Sequence, residues 1–130
     1  KKAWRFQQQR QAIAERYDAA LAGLPLLTPP RAPAGQTHAW HLYAIRLADA
    51  APVARDAFIE RLFAAGIGAS VHYIPLHLQP YWRDRYCLEP AQFPHSQRAF
   101  ERTASLPIYT RMTDADVQRV IGAVRTALLA

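Results

Sequence analysis

At 130 residues, 51% hydrophobic and 20% charged, the chain has the composition of one soluble globular domain with a modest core. No apolar run approaches the ~20 residues that span a bilayer, and Lys1-Lys2-Ala3-Trp4-Arg5 leads into glutamines, so neither a membrane span nor a signal peptide is expected. The net charge of +6 comes from arginines scattered along the chain, which argues for a solvated basic surface rather than a nucleic-acid partner.

Taken in order, residues 3–22 predict a long helix, because Phe6, Ile13, Tyr17 and Leu21 recur at helical spacing between glutamines, arginines and glutamate. Gly23 and Pro25 end it, and the proline-rich stretch 24–36 predicts an extended connector. Trp4 and Phe6 stand at the start of this helix, where nothing earlier in the chain covers them. Residues 38–47 give the strongest strand signal, apolar on both faces as in a central strand. Residues 52–65 predict a second helix with Phe58, Ile59, Leu62 and Phe63 as its buried stripe.

Gly66 then closes that helix, and Ile67 to Ile74 predict a strand that Pro75 must terminate. Residues 76–92 predict a long loop with one helical turn near 81–85, a length more often functional than idle. Phe93-Pro94 opens a third helix to about residue 104, and 106–109 predict a short extended piece. The last helix is the best signalled, with Thr113 and Asp116 as a capping pair and Met112 able to staple onto Val117. The sum is an α+β fold: a small, mostly antiparallel sheet of about three strands, covered by helices on one face and led by a long N-terminal helix.

Few residues carry chemistry by themselves. The five histidines lack the spacing of a metal site, so no metal is expected. His72 and His77 are the most suggestive, since a strand end and the following loop can bring both to one cleft. The alternative for each is a plain hydrogen bond to the backbone. Ser70 and Ser105 sit in no nucleophile elbow, Cys87 is alone, and Asp114 and Asp116 are explained by capping. One cysteine excludes an internal disulfide and fits a reducing, cytoplasmic setting. Lysine occurs only at Lys1 and Lys2, so no interior residue can form a Schiff base.

Three segments, taken together, resemble the C-terminal part of the DegT/StrS family of pyridoxal-phosphate-dependent sugar aminotransferases. They are the run from His38 to Arg46, the run from Gly66 to His77 (GIGASVHYIPLH), and Ser105 to Tyr109 followed by Met112 to Val117. The helix from Arg10 to Leu24 is similar to the one joining that family's large and small domains. The resemblance implies that residues 1–130 form the single small domain of a fold-type-I transferase, a homodimer in its complete form. Such enzymes move an amino group from glutamate onto a keto sugar carried by a nucleotide. It also implies that pyridoxal phosphate is held by a large domain absent from this chain, which would be inactive alone. By position, His72, Tyr73 and His77 would face the substrate, and Arg46 is a candidate anion-binding residue. No residue of the chain is assigned a catalytic role, and Trp4 and Phe6 would pack on the absent domain. A competing expectation is a stand-alone binding module with the same fold and no catalysis.

Overall fold

Thr113 ends the loop before the last helix with its hydroxyl accepting from the Asp116 backbone at 3.2 Å, while the Asp116 carboxylate accepts from the Thr113 backbone at 2.8 Å. This reciprocal bond satisfies backbone donors that a helix start leaves unpaired. The helix it starts runs from Asp114 to Leu129, and Val117, Val120, Ile121, Val124 and Leu128 are buried along one stripe.

The computed structural model describes residues 2–129. In chain order the elements are α1 (Lys2–Leu21), β1 (Leu26–Leu27), β2 (Tyr43–Leu47), α2 (Arg55–Ala64), α3 (Pro80–Tyr86), α4 (Pro94–Arg102), β3 (Thr103–Leu106) and α5 (Asp114–Leu129). The strands form an antiparallel sheet in the order β1-β2-β3, so β2 is central, as its two apolar faces suggested. No helix of the described residues is long and apolar enough to cross a membrane.

Register decides which side chains go where. Tyr43 stands opposite Leu106, Ala44 opposite Ser105, Ile45 opposite Ala104 and Arg46 opposite Thr103. Directly paired residues share a face, and faces alternate along a strand. The inner face is therefore Tyr43, Ile45, Leu47, Ala104 and Leu106, all buried in one cluster with residues of α1, α2 and α5. The outer face carries Ala44, Arg46, Thr103 and Ser105. Tyr17 and Tyr43 meet edge to face at 5.0 Å, joining α1 to the sheet. Their hydroxyls donate to the Pro107 carbonyl and the Asp18 carboxylate. Burial pushes both phenols well above their ordinary range, and for Tyr43 the bond to Asp18 adds to the rise.

Several expectations are corrected. The strand expected over 38–47 begins only at Tyr43. His38 turns its Nδ1 onto the Trp40 backbone N–H at 2.8 Å, and Trp40 takes a left-handed backbone with φ of 48°. A local side-chain bond of this kind competes with a ladder. The connector 24–36 contains β1, too short to show a period. The strand expected over 67–74 is reduced to one bridge, Ser70 to Ser105. Its alternation fails because Ile67 is buried whereas Tyr73, expected on the same face, is 75% exposed. The loop 76–92 holds the whole of α3, flanked by 3-10 turns at Leu76–Leu78 and Pro90–Gln92. Helix α4 stops at Arg102, and the extended piece after it is β3, beginning at Thr103. On α2, Phe58 and Leu62 are fully buried but Phe63 is 78% exposed. Phe63 lies about 100° further round the helix than Leu62, away from the contact with α5.

Thr113→Ala should lower stability in urea unfolding by about 1 kcal/mol. The Asp116 carboxyl is held below the usual carboxylate range, chiefly by hydrogen bonds from the Thr113 backbone and side chain. A lowered folded value means the contribution is present above the unfolded pKa and is lost as pH falls through the folded one. Asp116→Asn should therefore flatten the acid limb of stability against pH, measured by urea unfolding across that range.

Candidate functional site on the outer face of the sheet

The outer face is built by β3 and by the chain that crosses it at Ser70. Ser105 donates its backbone N–H to the Ser70 carbonyl at 2.8 Å and accepts from the Ser70 N–H at 3.2 Å. This double bond pins the segment against β3, so the next outward residue, His72, lies over the Ser105 side chain. His72 Nδ1 is 3.0 Å from Ser105 Oγ. Ser105 is 5% exposed, and the His72 ring is half-buried. The peptide bond between His72 and Tyr73 is cis, and the two rings meet edge to face at 4.8 Å. His72 and Tyr73 line a small cavity of about 160 Å³ with Pro75, Ser96, Phe100 and Thr103.

The far wall of this cavity belongs to α4. Thr103 donates its hydroxyl to the Ala99 carbonyl at 2.7 Å, closing the last turn of α4 where β3 begins. Arg55 of α2 lies 5.0 Å from the centre of the Phe100 ring and reaches the Thr103 carbonyl at 3.4 Å. A guanidinium over an aromatic face binds by charge and quadrupole, and here it ties α2 to α4.

The sequence-predicted residues separate into three situations. His72 and Tyr73 are brought together at the cavity, Tyr73 largely in solvent. Arg46 is exposed on the same sheet face, opposite Thr103, and meets no acidic side chain among the described residues. His77 is only 3% exposed, stacked on Phe93 with ring centres 4.9 Å apart. Its Nε2 donates to Gln97 Oε1 at 2.9 Å, and Gln97 Nε2 donates to Glu101 at 2.7 Å. Glutamate can only accept, so the Gln97 amide orientation and the His77 tautomer are both fixed by this relay. His77 thus anchors the loop to α4 and presents no polar atom to the cavity.

Sequence reasoning set Ser105 aside because it sits in no nucleophile elbow, and nothing in the sequence singled out Thr103. Neither had a signal of its own, because its place beside Ala44 and Arg46 on the outer face is set by the pairing of β2 with β3. The remaining histidines do other work or none. His38 accepts from Trp40, while His41 and His95 are exposed. Among the described residues no three His, Cys, Asp or Glu side chains converge as a metal site would require. Lys2 is exposed at the start of α1, and Lys1 lies outside the described residues. An aldimine site needs a desolvated amine in a pocket, and no buried lysine lies among the described residues.

A second exposed feature adjoins the site. Tyr81, Trp82 and Tyr86 of α3 are 66%, 40% and 56% exposed, with Leu76 at 65% and Ile74 at 53%. Trp82 stacks on Tyr86 at 5.7 Å.

This α+β fold, with a three-stranded antiparallel sheet, recurs in known proteins. The model of the DegT/DnrJ/EryC1/StrS aminotransferase family matches residues 1–125, and the chain belongs to that family. It is 40% identical over 122 residues to the spore coat polysaccharide biosynthesis protein SpsC of Bacillus subtilis, covering 92% of this chain and 31% of that protein. The aminotransferase TlmJ from Streptoalloteichus hindustanus superposes with a TM-score of 0.85 at 35% identity, over 98% of this chain and 33% of that one. A putative sugar aminotransferase from Streptococcus pneumoniae in its PMP form superposes with a TM-score of 0.86 at 28% identity, over 95% and 31%. The chain spans about a third of the length of these relatives.

Gln97→Leu should strand the buried His77 N–H and cost about 1–3 kcal/mol. Urea unfolding reads the loss, and protease cleavage within 76–92 should accelerate with it.

Proposed function

We propose that residues 1–130 are the small domain of a pyridoxal-phosphate-dependent aminotransferase that acts on a nucleotide-linked keto sugar, with glutamate as amino donor. Pyridoxal phosphate supplies the electron sink for amino transfer, and on this reading it is held by polypeptide outside this chain. The chain alone is then inactive, and the complete enzyme is a cytoplasmic homodimer. The observation that carries the reading is the family match over residues 1–125 together with superposition on sugar aminotransferases. The absence of an interior lysine supports assigning the cofactor elsewhere.

Within this reading the chain's own residues bind and position. His72 contacts the sugar or its nucleotide from the outer face, with Tyr73 beside it. Tyr73 is free to close over a ligand, because its ring is exposed and its neighbour is fixed. His77 serves as the buried anchor that holds the loop in place. Arg46, exposed two residues along β2 from the position opposite Ser105, is available to a phosphate or carboxylate.

In the complete aminotransferase His72→Ala should lower kcat/KM for the keto sugar about 10- to 100-fold, the loss of one buried polar contact to substrate. Steady-state kinetics decide this, and unchanged kinetics remove His72 from the site. Titrating this chain alone with micromolar pyridoxal phosphate should give no saturable visible band beyond that of free lysine at the same concentration, and a saturable one-to-one band would overturn the assignment of the cofactor to a separate domain.

A further inference from the structure

Ser105 is buried, and a buried hydroxyl proton needs an acceptor. Its backbone N–H and carbonyl are both committed to Ser70. The one side-chain partner of Oγ among the described residues is His72 Nδ1, at 3.0 Å. If the imidazole donated from Nδ1, the serine proton would be left buried without an acceptor, which costs more than the bond returns. The hydroxyl must therefore donate and Nδ1 must accept. A neutral imidazole with an unprotonated Nδ1 carries its proton on Nε2.

We propose that Ser105 is a positioning residue that locks His72 in the Nε2–H tautomer, so that the ring offers the cavity a hydrogen-bond donor and not a base. No protein group meets Nε2 among the described residues, and the ring lines the cavity that Thr103 and Phe100 close from the other side. The ligand atom that His72 recognises is consequently an acceptor: a hydroxyl, carbonyl or phosphate oxygen. A proton on a substrate carbon or ammonium group cannot be taken at Nε2 in this state, because that nitrogen's lone pair is already occupied. The backbone bridge at Ser70 and the side-chain bond at His72 come from the same serine, so orientation and tautomer are set together. The tautomer follows from the Ser105 geometry alone, whereas the donor role toward substrate rests on the function proposed above.

The test is ¹⁵N NMR of histidine-labelled protein, with the His72 signals assigned by their loss in His72→Gln. At neutral pH His72 should show a protonated Nε2 and an unprotonated Nδ1. Ser105→Ala should shift it toward the mixed population of an unconstrained imidazole, and Ser105→Thr, which keeps the hydroxyl, should restore the single tautomer. A wild-type His72 with its proton on Nδ1 overturns the proposal outright, even where Ser105→Ala fails to fold. An unchanged tautomer population in a folded Ser105→Ala protein overturns it as well. In the complete enzyme, His72→Gln should lower kcat/KM for the keto sugar by about tenfold or more. Unchanged kinetics beside the stated tautomer would overturn the donor role while leaving the Ser105–His72 pairing intact.

Discussion

The pairing of β2 with β3 is the contact on which both the core and the candidate site depend. Because side chains alternate, the register that sends Tyr43, Ile45 and Leu47 inward also sends Ala44 and Arg46 outward beside Ser105 and Thr103. A slip of one residue would expose the tyrosine that bonds Asp18 and bury Arg46 among aliphatic side chains. The core thus enforces the geometry of the outer face, although none of the residues that bury its apolar surface touch the cavity. Stability and function are separated by direction along the same two strands.

The outer face has its own hierarchy. Ser105 contributes backbone bonds that hold the crossing segment and a hydroxyl that orients His72. His77, Gln97 and Glu101 form a relay that fastens the loop to α4. Arg55, folded over Phe100, brings α2 into the same assembly. Tyr73 and Arg46, by contrast, are left to solvent. A hydrogen-bonded base with exposed outer side chains is a usual arrangement for recognising a ligand, since ordering costs are met in advance except where contact is made.

Much of this fold was legible in the sequence where signals were local and redundant. The capping pair at Thr113 and Asp116, the inner stripe of α5 and the central place of β2 all follow from spacing. What escaped was structure set by single tertiary bonds. His38 bonding the Trp40 backbone delays β2, and no periodicity announces that. The crossing segment reads as a strand because Ile67 to Tyr73 alternate well, yet β3 offers it only one residue, Ser105. Sequence spacing singled out both His72 and His77, but only burial distinguishes the ring that meets the cavity from the ring that meets Phe93. Ser105 had no signal of its own, since its importance comes from what folds across it.

The three tryptophans are distributed so that the protein carries its own optical reporters. Trp40 is 2% exposed within the core cluster, whereas Trp4 on α1 and Trp82 on α3 are 62% and 40% exposed. Indole emission depends on the polarity around the ring, so the Trp40 component tracks the integrity of the interior. The other two respond to whatever comes to lie on α1 or on the aromatic face of α3. Quenching by a water-soluble collisional agent would therefore sort surface coverage from unfolding in one cuvette, without any label attached.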